Sequence, residues 1–501
     1  MALSLSEIKR FISDDMASEK KRRAAVGQRY YEAEHDILQC RLFYYNAEGK
    51  LVEDTARSNV KICHPFFTEL ADQLAAYMLS FKENPIRAKD NAEGLQDHLD
   101  TYFDDEFWAE ISELITGAYT KGFEYLYAYK NAENRLAFQC ADSMGVVEVR
   151  EKDTDDGCKY VIYWYIDRID KGKKKIKRIQ VWSEKETEYY VQSGASGKIE
   201  KDTSVEVNPR PHVVFKDDKS GKKMGYGLGF IPFWRLDYCK KQFSGLKPIK
   251  ALIDDIDVMM CGLSNNLVDF DTPLHVVRGY QGYSDAKELD ELIQNLKTKK
   301  TIGVDDQGGV EVHTVAIPYE ARKVKADEDE KNIYRFGMGF NSSQVGDGNI
   351  TNVVIRSRYT LLDLKANKLE KRLKQLLKQL VKIVIEEINR ENKTDFQLSD
   401  IRFEFTRDIM TNESENIANE KTKAETRQLE ITTILNIAAQ IGDEEALKAI
   451  CEQMDLDYED IKDKAPKPEN PEAEVAGAMG VLEGVVTDEP QTANSSGAIP
   501  E

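Results

Sequence analysis

Three aspartates, Asp254, Asp255 and Asp257, lie close together in a segment whose apolar residues recur with helical spacing. Carboxylates at such short spacing can bind a divalent cation, and a metal-dependent nuclease would use them in that way. Asp254 and Asp257 share one helix face, whereas Asp255 points elsewhere. No second carboxylate cluster at a fixed spacing accompanies them. We interpret the three aspartates as an acidic helix surface, with the nuclease as the alternative.

Two other patterns carry chemistry in other proteins. Cys63 and His64 are adjacent and can both bind metals, but no second pair at metal-ligand spacing accompanies them. The run Gly225–Gly229 resembles a phosphate-binding loop only superficially, because strand-like residues follow it where a helix N-terminus would have to begin. The histidines are dispersed and match no catalytic spacing. We therefore expect no catalytic residue, no metal site and no cofactor, and a protein that is not an enzyme.

Composition limits the partners of the chain. Of its 501 residues, 41% are hydrophobic and 32% are charged, with a formal net charge of −19. No apolar run is long enough for a membrane helix, so we expect no membrane partner. The seven cysteines form no C-x-x-C pair, which indicates free thiols in a reducing compartment. A protein that grips DNA over a large face should be basic, so we expect no tight grip on DNA over a large face, although DNA could still slide past.

The N-terminal half combines helices with a sheet. Residues 5–36, 65–81 and 103–121 have helical periodicity, and residues 41–45 and 51–53 flank a turn that predicts a hairpin. From residue 122 to residue 216 the apolar residues alternate instead, which predicts an antiparallel sheet. Its predicted strands are 125–129, 146–149, 160–166, 176–182 and 188–191.

Two rods then bracket a small insert. Helices are predicted over about 246–268 and 319–340, and each is about 30 Å long. Between them we predict a compact α/β unit. Its elements are a strand at 273–279, a helix at 284–296 and strands at 300–304 and 309–317. Two rods that hold a small tip form a stalk.

A very long amphipathic helix follows, from about residue 353 to residue 390. At about 1.5 Å per residue it spans roughly 60 Å. Its apolar residues recur at alternating steps of four and three and predict a seam that packs along the whole helix. The seam consists of Leu362, Ala366, Leu369, Leu373, Leu376, Leu380 and Ile383. Lysines, among them Lys365, are assigned to the other faces. A small, polar and nearly uncharged run, residues 341–352, precedes the helix and is expected to be flexible.

The C-terminal part predicts a strand at 401–405 and helices at 413–441 and 443–453. Beyond residue 464 the chain is rich in Pro, Gly, Ala and Ser, and we expect a disordered tail.

In order and size, these elements resemble the portal proteins of tailed bacteriophages, specifically the siphovirus-type head-to-tail connector family. The resemblance covers nearly the full length. It implies an α+β portal fold with a mixed α/β wing, a two-helix stem, a small α/β clip, a long spine helix, a helical crown and a disordered C-terminal tail. The implied parts are wing 1–240, first stem helix 241–268, clip 269–318, second stem helix 319–340, tunnel loop 341–352, long wing helix with returning strand 353–410, crown 411–463 and tail 464–501.

The resemblance also implies a function. Twelve copies would form a ring at one capsid vertex, through which double-stranded DNA is packaged and ejected. Its partners would be the terminase large subunit during packaging, the scaffold and major capsid proteins, and later a head-completion or tail adaptor protein. The protein would lie in the virion, and in the bacterial host cytoplasm during assembly.

The residues expected to face DNA belong to two segments. The tunnel loop would brush the DNA backbone without a tight ionic grip, and basic stem residues would add weak local contacts. The loop residues are Asn341, Ser342, Ser343, Gln344, Val345, Gly346, Asp347, Gly348, Asn349, Ile350, Thr351 and Asn352, and the stem residues are Lys323, Lys325, Lys331 and Arg335.

Another capsid-associated scaffold protein is a second alternative. It would share the apolar seam of the long helix. It would not need an α/β insert between two rods, and the insert therefore favours the portal interpretation.

Overall fold

The structure is a computed structural model of the chain. It describes residues 3–55, 57–89, 92–131, 135–151, 157–169, 174–194, 197–216, 223–269, 274–278, 290, 309–313, 318–341, 352–407 and 413–453. The chain divides into two compact units, Met1–Met410 and Thr411–Glu501.

Helices make up most of the regular structure. In chain order they are α1 (Leu5–Ala17), α2 (Glu19–Tyr31), α3 (Phe66–Met78), α4 (Leu95–Tyr102), α5 (Asp105–Lys121), α6 (Lys250–Asp269), α7 (Tyr319–Phe336), α8 (Asn352–Asn392), α9 (Glu413–Ile441) and α10 (Asp443–Gln453).

The strands form small antiparallel sheets. In chain order they are β1 (Phe43–Tyr45), β2 (Leu51–Glu53), β3 (Ile86–Ala88), β4 (Phe123–Lys130), β5 (Leu136–Ala141), β6 (Val146–Val149), β7 (Tyr160–Ile169), β8 (Lys174–Trp182), β9 (Glu186–Ser193), β10 (Ile199–Lys201), β11 (Arg210–Pro211), β12 (Val213–Lys216), β13 (Lys223–Tyr226), β14 (Phe233–Asp237), β15 (Leu274–Arg278), β16 (Gly309–His313) and β17 (Ile401–Phe403).

Two sheets carry the N-terminal half. The larger has the order β10-β9-β8-β7-β6, with β11 paired to β9, and the smaller has the order β14-β4-β5. The outer strand β14 pairs with β4, about a hundred residues earlier in the chain, so the smaller sheet closes only when distant segments meet. The remaining pairs are β1 with β2, β12 with β13, β15 with β16, and β17 with β3.

The long helix α8 packs through a face wider than the predicted seam. Six of the seven predicted seam residues are buried, but Ile383 is only half-buried. Leu377, Val381, Val384 and Ile388 are buried as well. A stripe of that width is typical of a helix that packs into a globular core, whereas a coiled-coil seam is narrower. The same core cluster includes residues of α3, α5 and the small sheet.

Most predicted elements are present with shifted ends. The helix predicted over 5–36 is two helices, because the Ser18 side chain accepts the Lys21 N–H at 3.2 Å and caps a new helix. The first stem helix begins at Lys250 and ends at Asp269. The second ends at Phe336, where the Gly337 N–H bonds the Ile333 carbonyl at 2.7 Å.

The expected insert is described in part. Strands β15 and β16 pair in antiparallel register, close to the strands predicted at 273–279 and 309–317. The predicted helix 284–296, apart from Asp290, and the predicted strand 300–304 lie outside the described residues. So do loop residues 342–351 and the tail 464–501. The two helices predicted for the crown are α9 and α10.

Candidate functional site: the stem helices and the base of the loop

Helices α6 and α7 contact each other through polar side chains. The Lys325 Nζ lies 2.5 Å from the Asp255 Oδ2 on the facing helix. The Arg322 guanidinium on α7 also reaches α6, where it donates to the Met259 carbonyl at 3.1 Å. A Cβ added at Gly262 would lie 2.7 Å from the Arg322 Nη1, so the absence of a side chain at Gly262 makes room for the guanidinium.

The predicted stem cations differ in their surroundings. Lys325 is partly exposed and also binds Asp329 on its own helix at 2.5 Å. The hydrogen bonds that the Lys325 ammonium group donates to Asp255 and then to Asp329 raise the pKa of Lys325, so this group is engaged between the helices. Lys323, Lys331 and Arg335 are exposed, and the Arg335 guanidinium lies 5.9 Å from the centroid of the Phe336 ring. None of these three forms an ion pair with a residue in the described part of the chain.

The base of the loop is held by two reciprocal hydrogen bonds. The Gln73 side chain on α3 donates to the Phe340 carbonyl at 2.6 Å and accepts the Phe340 N–H at 2.9 Å. The next residue, Asn341, donates from its side chain to the Glu330 Oε1 at 3.0 Å. The chain therefore enters the loop from a fixed position on the second stem helix.

An aromatic stack joins both ends of the loop. The Phe340 ring lies 4.6 Å from the Tyr359 ring on α8, with an interplanar angle of 8°. Tyr359 stacks in turn on Tyr77 of α3 at 5.7 Å and 18°. The residue just before the loop and the first turns of the long helix are thus packed against the same part of α3.

A buried lysine links the long helix to the end of the second stem helix. Lys365 of α8 is 2% exposed, and its Nζ donates to the Gly337 carbonyl at 3.0 Å. It also lies 4.8 Å from the centroid of the Tyr119 ring. Burial lowers the pKa of Lys365 to about 7. The prediction that Lys365 lies on an outer face of the helix is wrong, because that side chain faces the α7–loop junction.

Asp363 and Glu370 of α8 share one buried cation. The Arg407 guanidinium, which is mostly buried, binds both carboxylates. It also lies 5.2 Å from the Tyr77 ring. The segment that follows strand β17 is thereby attached to the same part of α8 as the loop base.

The residues 58–64, which we name the strap, run along the first stem helix. Every second backbone N–H of the strap donates to a side chain of α6, and the acceptors are four residues apart. Four helical residues rise about 6 Å, close to the span of two extended residues, so the two spacings match. The pairs are Ser58 with Asp269 (3.2 Å), Val60 with Asn265 (2.7 Å), Ile62 with the Cys261 Sγ (3.1 Å) and His64 with Asp257 (2.9 Å).

The three aspartates of α6 do not form one site. Asp254 accepts from the Tyr30 hydroxyl and pairs with Lys250 at 2.7 Å, while Asp255 pairs across to α7. Asp257 is fully buried, so the interpretation of all three as an acidic surface is wrong for this residue. Its oxygens accept hydrogen bonds from two histidines, which lower its pKa although burial opposes this. In the described part of the chain, neither Asp254 nor Asp255 joins a group with metal-ligand distances.

Sequence reasoning missed the strap, the Gln73 contacts and the buried Lys365. None of them has a periodic signal, since each joins segments that are far apart in the chain. The adjacent Cys63 and His64, which both belong to the strap, were the one sequence feature that drew attention to this segment.

Comparison with known proteins gives the family. The profile described as "Phage portal protein, SPP1 Gp6-like" matches residues 11–460, which include the stem helices, the loop and the long helix. The chain belongs to this family of phage portal proteins.

Two portal proteins illustrate the relationship. The chain is 25% identical to the portal protein of Bacillus phage SPP1 over 393 residues, which cover 78% of this chain and 75% of the relative. It is 23% identical to the portal protein of Clostridium phage phiCD119 over 435 residues, which cover 83% of this chain and 88% of the relative.

The family determines the function in outline. The chain has a portal role in DNA packaging and head-tail connection, and the family is structural and part of the virion capsid. The α+β portal fold expected from the sequence is confirmed. Nothing in the comparisons supports the nuclease alternative. Within the described residues, no helix has the length and apolar character needed to cross a membrane.

Proposed function

We propose that twelve copies of this chain form a ring whose central channel passes double-stranded DNA during packaging and ejection. The observation that carries the proposal is the family match from residue 11 to residue 460. The helix pair α6–α7 and the anchored loop supply the parts that a channel needs: a stalk and a segment that can reach the duplex.

The parts of the subunit are proposed as follows. Residues 1–240 form the wing, 241–268 and 319–340 the stem, 269–318 the clip, 341–352 the tunnel loop, 353–410 the long helix with its returning strand, 411–463 the crown and 464–501 the tail. The cross-helix contacts of Lys325 and Arg322 support a stem that acts as one stiff pair.

The loop 341–352 is proposed to touch the DNA. Asp347 is its one charged residue, so the loop can follow the backbone without a strong ionic attraction. The Gln73 contacts and the Phe340–Tyr359 stack support this role, because a loop that pushes or senses DNA needs a rigid base.

The exposed stem cations Lys323, Lys331 and Arg335 are proposed to give weak contacts to phosphate. Lys325 contributes less, because Asp255 and Asp329 already neutralise it. The net charge of −19 opposes tight binding of a polyanion over a large surface and so favours sliding.

The partners follow from the same role. The ring would bind the terminase large subunit during packaging, the scaffold and major capsid proteins during assembly, and a head-completion or tail adaptor protein afterwards. It would assemble in the host cytoplasm and remain at the capsid vertex. The ring itself needs no catalytic residue or cofactor for this role, since the terminase would supply the chemical energy.

A packaging reaction tests the proposal. Capsids are assembled from scaffold and major capsid protein with or without this chain, and terminase, ATP and phage DNA are then added. We expect DNase-resistant DNA only in capsids that contain the chain. Equal amounts of protected DNA in both preparations would contradict the proposed role.

A further inference from the structure

Metal-ligating side chains meet where the strap crosses α6. One ligand atom each of His35, Cys63 and Asp257 lies within 4.8 Å of the other two. His35 and Asp257 are buried, and Cys63 is half-buried. The three residues come from distant parts of the chain: the turn after α2, the strap, and the first stem helix.

One nitrogen of His35 lacks a partner. The His35 Nδ1 lies 2.5 Å from the Asp257 Oδ2, whereas the buried Nε2 has no hydrogen-bond partner in the described part of the chain. A metal ion bound by the Nδ1, the Asp257 carboxylate and the Cys63 sulfur would take the place of this hydrogen bond. A metal ion on the Nε2 would lie too far from Asp257 to be bound by it.

The charges at this position also suit a divalent cation. A thiolate at Cys63 and the Asp257 carboxylate would together neutralise a charge of +2, and neutral imidazole would add none. Sulfur and imidazole nitrogen are ligands for zinc rather than for calcium or magnesium, which prefer oxygen.

We propose that His35, Cys63 and Asp257 bind a structural Zn²⁺ ion that fastens the strap to the first stem helix. His64 lies outside this group; its Nδ1 is 2.7 Å from the other oxygen of Asp257 and orients the carboxylate, and a water molecule would complete a four-coordinate set. Zinc bonds of about 2.0–2.3 Å require the ligand atoms to approach one another by roughly 1 Å from their widest separation. The site does not depend on the portal function.

Binding must displace a proton. Zinc binds the thiolate form of Cys63, so the thiol proton is released to solvent when the sulfur–metal bond forms.

The primary test is thiol protection in the full-length wild-type chain. Iodoacetamide is added with and without Zn²⁺, and the alkylation of each cysteine is followed by peptide mass spectrometry. We expect Zn²⁺ to slow the alkylation of Cys63 at least tenfold. Cys40 is exposed and serves as the control in the same molecule, with an unchanged rate. An unchanged rate at Cys63 would overturn the proposal, and this test requires no variant to fold.

Variants identify the ligands. Cys63→Ser and His35→Gln should lose the bound zinc measured by elemental analysis, while Cys40→Ser should retain one ion per chain. Co²⁺ bound to the wild type should give a thiolate charge-transfer absorption band, and Cys63→Ser should abolish it. A band that persists in Cys63→Ser would assign the sulfur ligand to another cysteine and contradict the proposed set.

Discussion

Lys365 is the residue whose position most clearly connects the long helix to the loop. Its ammonium group is buried, and it reaches the Gly337 carbonyl at the end of the second stem helix. Burial lowers its pKa from 10.5 to about 7. As the pH rises, the folded chain therefore releases this proton at a pH about 3.5 lower than the unfolded chain does.

This difference predicts a pH-dependent stability. Between pH 7 and about 10.5 the unfolded state binds the proton and the folded state does not, so the free energy of unfolding rises with pH over this range. From pH 7 to pH 9 the contribution of Lys365 is roughly 2 kcal/mol. Denaturant unfolding at both pH values measures it.

Lys365→Met should remove that contribution, and Lys371→Met, at an exposed position of the same helix, should retain it. Equal pH dependence in both variants would show that the folded chain does not lower the pKa of Lys365.

Glu387 ties the C-terminal end of α8 to the small sheet. It is 4% exposed and accepts from the Lys130 Nζ at 2.5 Å, the Tyr102 hydroxyl at 3.1 Å and the Leu136 N–H at 3.0 Å. Glu387→Ala removes the buried carboxylate that all three donors share, and with it the ion pair to the Lys130 ammonium group. We expect a loss of about 3–5 kcal/mol in the free energy of unfolding, measured by denaturant titration. Glu391→Ala, at an exposed position of the same helix, should change it by less than about 0.5 kcal/mol.

The burial and the partners of single polar residues were hard to predict from the sequence. Lys365 lies among other lysines of an amphipathic helix. Its burial depends on contacts with distant segments, such as the hydrogen bond to the Gly337 carbonyl. Asp257 has two acidic neighbours in the sequence, and its histidine partners are about two hundred residues away. Long-range polar contacts of this kind have no local pattern.

At the scale of elements, the base of the loop should act as a coupled unit. Phe340 and Tyr359 stack on each other, and aromatic pairs contribute about 0.5–1.5 kcal/mol beyond area burial. A double-mutant cycle with Phe340→Ala and Tyr359→Ala should give a coupling energy in this range. Additive effects of the two substitutions would show that the stack does not fix the loop.

The loop itself should be needed for packaging and not for assembly. Deletion of residues 344–349 removes half of the polar loop and leaves the anchoring residues Phe340 and Tyr359 in place. We expect normal ring mass and a severalfold loss of DNase-protected DNA. A variant with the six residues replaced by Gly and Ser keeps the loop length and serves as the control. Normal packaging by the deletion variant would exclude the loop from the mechanism.

Elements with a long periodic pattern were predicted well. The long helix was expected at 353–390 and is Asn352–Asn392, because its apolar residues repeat over many turns. Short elements such as α4 and strand β5 were missed. They are stabilised by contacts with the core, and their own sequences give weak signals. The strap was missed for a related reason, since its backbone pairs with helix side chains.

The net acidic charge of the whole chain suits a protein that lets DNA pass through a channel. A channel for DNA must enclose a polyanion and release it. In the proposed channel, the net charge of −19 would limit adhesion of DNA, and the exposed stem cations would supply only local attraction. In a closed ring the contact between neighbours is heterologous, so each subunit uses two different surfaces for it.

The mass and symmetry of the assembled protein test the proposed ring most directly. Native mass spectrometry of the full-length chain, together with negative-stain class averages, gives both. We expect a ring of twelve copies with a central hole. Monomers, dimers or open filaments without a ring, even after co-expression with the phage scaffold protein, would contradict it.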